Sequence, residues 1–157
     1  MSVESNTADR EIVITRVLEF PRALVYRAWT DPQHMVQWWG PNGFTTTLIE
    51  SDVRPGGLKR YIMHGPDGTD YNNRVQFEEV TPPERLVYMH GSDDQPNQFH
   101  ATVTFTELGE LTELKLRLLF DTVEECEAKK QFGAIEGVNH TLARLAEYLK
   151  TMNQATA

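Results

Sequence analysis

The chain has 157 residues, 39% of them hydrophobic and 24% charged, enough for the core of one domain and little for a second. Fifteen basic against 23 acidic residues leave a net charge of −8, which repels phosphate backbones and anionic lipid and argues against nucleic-acid and membrane partners. No apolar run approaches the roughly 20 residues of a membrane span. Met1 to Asp9 lacks the basic start and apolar stretch of a secretion signal, and the lone Cys126 can form no internal disulfide, so the expected location is the reducing cytoplasm.

The first eight or nine residues and those from Thr151 onward are small and polar and read as frayed ends. Glu11 to Glu19 is rich in β-branched residues and predicts a strand. Pro21 then suits the first turn of a helix, and Leu24, Val25, Ala28 and Trp29 recur at helical spacing. Thr30-Asp31-Pro32 restarts the pattern for a second short helix carrying Met35, Val36, Trp38 and Trp39, stopped by Gly40-Pro41-Asn42-Gly43.

From Phe44 to Phe120 the period is two. Turn chemistry at Arg54-Pro55-Gly56-Gly57, Gly65-Pro66-Asp67-Gly68, Thr81-Pro82-Pro83-Glu84, Gly91 to Asn97 and Leu108-Gly109-Glu110 divides it into six strands. Connections this short favour antiparallel neighbours. Asp121 to Glu125 offers two overlapping capping boxes. Beyond them Ala128, Ile135, Val138, Leu142, Leu145 and Leu149 form one apolar stripe over about 22 residues, the signature of a long amphipathic helix. Gly133 and Gly137 fall inside it, away from the stripe, at about 1 kcal/mol each relative to alanine. A twisted sheet with one dry face is the natural cover for that stripe. The expected fold is α+β: a curved seven-stranded antiparallel sheet around a long C-terminal helix, two short helices after strand 1, and an internal cavity between sheet and helix.

Strand alternation gives the inward set. Lys59, Tyr61 and Met63 share a face, as do Val75 with Phe77, and Leu86 with Tyr88 and His90. Ala101, Val103 and Phe105 join Leu114, Leu116, Leu118 and Phe120. A ligand cavity is expected among Met35, Trp38, Phe44, Tyr61, Met63, Phe77, Tyr88, His90, Val103, Leu116, Ile135, Val138 and Leu142; the competing reading makes each of these plain core. An empty void of about 300 Å³ would cost about 7 kcal/mol at ~24 cal/mol per Å³. That rivals the whole stability of a domain, about 5–15 kcal/mol, so such a space wants a guest or held water. Of the two neighbouring tryptophans, Trp38 and Trp39, one is expected inside and one at a rim.

Five histidines show no ligand spacing, so neither a metal site nor a cofactor is expected. Cys126 is flanked by Glu125 and Glu127, which oppose thiolate formation, and reads as structural. The serines lack a nucleophile elbow. Tyr88 and His90, two residues apart on one strand face, are the only acid–base candidates.

The run Phe20 to Pro32 leading into Trp38-Trp39-Gly40-Pro41, the turns Arg54-Pro55-Gly56-Gly57 and Gly65-Pro66-Asp67-Gly68, Pro82 to Val87, and the closing Leu142 to Leu149 together resemble the SRPBCC (START-like, birch-pollen-allergen-like) superfamily. More narrowly they resemble the branch related to the C-terminal domain of the activator of the ninety-kilodalton heat-shock protein's ATPase. The resemblance spans about residues 10 to 150 and implies a single helix-grip domain with a deep cavity. Relatives often carry tryptophan after the helix glycine where this chain has Gly137-Val138, which implies extra room here.

The resemblance leaves three functions open: binding of a small hydrophobic or aromatic molecule without catalysis, a cyclase or aromatase using Tyr88 and His90, or a co-chaperone of the ninety-kilodalton heat-shock protein. The first is preferred. The third is set back because, in that activator, a separate N-terminal domain makes much of the contact. A homodimer is compatible with the sequence.

Overall fold

The computed structural model describes residues 8–95 and 97–155, with side chains through Met152 at the C-terminal end. After a single 3-10 turn at Ala8–Arg10 the elements run β1 (Glu11–Leu18), α1 (Arg22–Thr30), α2 (Pro32–Trp38), β2 (Thr45–Ser51), β3 (Leu58–His64), β4 (Asp70–Thr81), β5 (Arg85–Gly91), β6 (Phe99–Leu108), β7 (Leu111–Phe120), α3 (Val123–Gln131) and α4 (Ala134–Ala155). The seven strands form one antiparallel sheet in the order β1-β7-β6-β5-β4-β3-β2. Only β1 is out of sequence, carried across by α1 and α2 to pair with β7, Glu11 opposite Leu119 and Leu18 opposite Thr112. Register shifts at Leu48/Glu50 and at Phe77/Glu79 bend β2 and β4, as bulges do, and curve the sheet.

The local signals explain the helices. Asp31 accepts from the Gln33 backbone N–H at 2.9 Å and Pro32 opens α2. Thr122 accepts from the Glu125 N–H at 3.1 Å and caps α3, realising one of the two capping boxes. The core lies between the concave sheet face, α1, α2 and α4. Val25, Trp29, Trp38, Phe105, Leu114, Leu142, Leu145 and Leu149 are buried there.

Two expectations are corrected. The long C-terminal helix is present as α4, of 22 residues, but the stretch before it is a separate helix, α3, because Gly133 takes φ +96° directly after Phe132, a backbone state that ends a right-handed helix. Gly137 lies toward the α2–β2 connection, where an added Cβ would meet Pro41 Cγ at 3.6 Å. The polar stretch from Thr151 is not frayed, since α4 runs to Ala155 and Met152 is buried. The N-terminal part of that expectation, residues 1–7, lies outside the described residues.

The two glycines are expected to respond oppositely to alanine. Gly133→Ala forces a side chain into a left-handed backbone and should lose about 1–2 kcal/mol. Gly137→Ala makes an ordinary contact in a helix and should gain up to about 1 kcal/mol. Urea melts of both variants check the pair; a gain at Gly133 would contradict the helix break.

Candidate functional site

Where α3 gives way to α4, the helical layer and the sheet part to leave an open cleft of about 570 Å³. The sheet supplies Met63 from β3, Tyr71 and Asn73 from β4, Phe99 from β6, and Leu118 and Phe120 from β7. The opposite wall is Lys129 near the end of α3, Phe132 and Gly133 at the break, and Ala134, Gly137, Val138, His140 and Thr141 of α4. Pro41, Asn42 and Phe44 close one side. Their loop is fixed to α4 because Arg144 Nη1 donates to the carbonyls of Gly40 at 2.7 Å and Pro41 at 2.8 Å.

The lining is mainly apolar. Its polar groups are Asn73, Lys129, Glu136, His140 and Thr141, with the Asn42 and Tyr71 side chains at the side. Lys129 has no acidic partner among the described residues. Phe132 is 80% exposed at the mouth, which is unusual for a phenylalanine that nothing else covers.

Of the expected cavity residues, Phe44, Met63 and Val138 line this cleft. Tyr61, Phe77, Tyr88, Val103 and Leu116 are buried on the concave face further in, with His90 half-buried among them. Met35, Trp38 and Leu142 are packed core, Trp38 Nε1 donating to the Ala28 carbonyl at 3.1 Å. Ile135 is 41% exposed in the first turn of α4 and does not line the cleft. Its inward placement is corrected: the stripe reaches cover only from Val138 onward, because the helix starts afresh beyond Gly133. Trp39 is the rim tryptophan, half-buried, its Nε1 donating to the Tyr61 hydroxyl at 3.1 Å. Cys126 is buried in α3.

Sequence reasoning missed Asn73, Phe99, Lys129, Phe132 and Thr141. Two were within reach: Asn73 precedes Val75 and Phe99 precedes Ala101 by one period of strand alternation. The others depend on the helix break, which no stripe analysis of one continuous helix reveals.

Beside the cleft, Asn73 Oδ1 lies 2.8 Å from His90 Nε2, and Asn73 Nδ2 donates to the Tyr71 carbonyl at 3.0 Å. With the amide so oriented, Oδ1 only accepts, so Nε2 carries the imidazole proton. The His90 ring stacks on Phe99 at 4.7 Å between centroids. Burial, then the charges of Lys59 and Lys129, lowers its pKa to about 3. Burial also raises the pKa of Tyr88. Tyr88 and His90 have ring centroids 6.4 Å apart. An imidazole held neutral so firmly is a poor base, and general acid–base work wants a pKa near the working pH. Among the described residues no three His, Cys, Asp or Glu side chains gather as a metal set, and no helix is long and apolar enough to cross a membrane.

A curved antiparallel sheet gripping a C-terminal helix, with a cleft between them, is the helix-grip class of the SRPBCC superfamily. Within it, residues 19–150 match the family described as activator of Hsp90 ATPase homolog 1-like protein, and the chain belongs to that family. Among similar solved structures is a protein from Nitrosomonas europaea, 25% identical, with a TM-score of 0.85 over 94% of this chain and 98% of that one. Another is a protein from Arthrobacter aurescens, 24% identical, with a TM-score of 0.84 over 96% and 91%. An AHSA1-like protein from Aeromonas hydrophila is 23% identical, with a TM-score of 0.73 over 91% and 94%. These likenesses show the fold. No curated protein matches the chain.

Proposed function

We propose that the protein binds a small hydrophobic or aromatic molecule in the cleft between the sheet and the α3–α4 junction, without catalysis of its own. The observation that carries this reading is the cleft itself: about 570 Å³, walled by Phe44, Met63, Phe99, Leu118, Phe120 and Val138. That volume lies in the range of small-molecule sites, about 300–1,000 Å³, and a mainly apolar wall with a few polar groups is their usual composition. The cleft supports ligand binding more directly than the alternatives. The cyclase reading needs His90 as a working base, which its lowered pKa opposes, and the co-chaperone reading draws no support from the cleft.

The test uses Nile red, a neutral dye that brightens in apolar surroundings. Wild-type protein is expected to enhance it while folded. Val138→Trp places a large ring in the cleft and should weaken dye binding about tenfold or more, with the melting temperature unchanged or raised. In a packed core the same change would cost about 1–3 kcal/mol. A folded variant that binds dye as wild type does would overturn the placement, and dye signal appearing only on unfolding would overturn the reading.

A further inference from the structure

One cluster of polar groups further in is used by nothing described so far. Lys59 is 5% exposed, and no carboxylate pairs with it among the described residues. Its Nζ instead lies over aromatic faces, 4.9 Å from the Trp39 ring centroid, 5.5 Å from Tyr61 and 5.9 Å from Phe77. Ser51 sits directly opposite Lys59 across β2 and β3, hence on the same face, and its buried Oγ has no hydrogen-bond partner. Tyr61 is fully buried and accepts from Trp39 Nε1, while its own hydroxyl proton has no acceptor among the described residues. Tyr88, 4% exposed with its ring 5.9 Å from Phe77, likewise has no acceptor for its hydroxyl there.

Four side chains on one face of β2, β3 and β5 therefore carry an ammonium and three hydroxyls, with no carboxylate or carbonyl accepting from them among the described residues. Buried polar groups normally have partners, and a buried unpaired charge is the costliest exception. The cluster adjoins the cleft. Tyr61 is paired across the sheet with Asn73 and is two residues from Met63, and both of these line it. Tyr88 is two residues from His90, whose ring stacks on the cleft residue Phe99.

We propose that Ser51, Lys59, Tyr61 and Tyr88 form an oxyanion subsite at the inner end of the cleft, and that the ligand is an amphipathic carboxylate. Its apolar body lies against Phe44, Met63, Phe99 and Val138, and its head group takes the Lys59 ammonium away from the Trp39 ring. The inference rests on the cleft-binding reading and adds the ligand class. A carboxylate is the complementary group because it only accepts and carries the charge that Lys59 lacks nearby. The lowered pKa of Lys59, about 8 and caused by burial, agrees with a cation that has no counter-charge.

The test compares two probes of nearly equal apolar body, 2-naphthylacetate and 2-(2-naphthyl)ethanol, by calorimetry at pH 7. Wild type should bind the carboxylate at least about tenfold more tightly. Lys59→Met should remove that preference by weakening the acid while leaving the alcohol unchanged. Tyr88→Phe, nearly isosteric, should weaken the acid by about fivefold, the worth of one hydrogen bond, and keeps the question answerable if Lys59→Met misfolds. Lys129→Met is the control for capture at the cleft wall. If that variant, and not Lys59→Met, removes the preference, the inner subsite is wrong. Equal binding of both probes by wild type overturns the subsite and leaves the cleft reading standing, whereas binding of neither overturns both.

Discussion

Lys59→Met is expected to make the ligand-free protein more stable by about 2 kcal/mol at pH 7. Burial lowers the Lys59 pKa from 10.5 to about 8, so the fold favours the neutral amine and the unfolded chain favours the ammonium. Each pKa unit corresponds to about 1.4 kcal/mol, which sets the full penalty near 3 kcal/mol wherever the unfolded lysine is charged and the folded one must be too. Methionine removes that penalty and loses about 1 kcal/mol of cation–π attraction to Trp39, Tyr61 and Phe77. The pH profile is the sharper readout. Between pH 8 and 10.5 the unfolded lysine holds a proton that the folded one has released, so wild-type stability should rise with pH across that window. Below about pH 8 both states are protonated and this contribution is flat. In Lys59→Met the rise should vanish, leaving the variant and wild type closer at pH 10.5 than at pH 7. Urea titrations at several pH values measure this; a variant less stable than wild type at pH 7 would mean that the ammonium has a partner in the native fold.

A position that lowers stability in the free protein is where local rules of sequence reading are expected to fail, because function can hold such a residue against the fold's preference. The alternation Lys59-Tyr61-Met63 placed Lys59 inward from sequence alone, although a lysine there contradicts the dry face around it. The six strands between Phe44 and Phe120 were equally legible, since Pro, Gly and Asn mark each turn with a distinct backbone demand. What could not be read was the cleft's position. The stripe from Ala128 to Leu149 keeps helical spacing through Gly133, and periodicity is blind to a single residue of positive φ that separates two helices. That break decides which of Ile135 and Val138 meets the sheet, exposes Phe132, and moves the open space from the middle of the concave face to one end. The middle is instead filled by Trp38, Tyr61, Phe105 and Leu116. The strand order was also beyond local signals, because pairing β1 with β7 is a contact across the whole chain.

The His90→Gln variant is expected to resist acid better than wild type. His90 has its pKa lowered from 6.5 to about 3, first by burial and then by the charges of Lys59 and Lys129. The folded state therefore keeps a neutral imidazole where the unfolded chain takes up a proton. As pH falls from 6.5 toward 3 the unfolded state gains that proton and the native state does not, so stability declines across this window and is fully present above it. The linkage at pH 4 is about 3 kcal/mol for an enclosed group, and about 2 kcal/mol after discounting the half-buried ring for solvent screening. Glutamine does not titrate, and its amide N–H can still donate to Asn73 Oδ1, which replaces the 2.8 Å contact of the imidazole. It loses the stack on Phe99, so the variant should start somewhat less stable at pH 7. The two stability curves should then converge or cross near pH 4. Urea melts from pH 7 to pH 4 give both curves. Parallel curves would show that His90 takes up its proton in the folded state as readily as in the unfolded one, with the ring open to water and the Asn73–His90 contact free to rearrange.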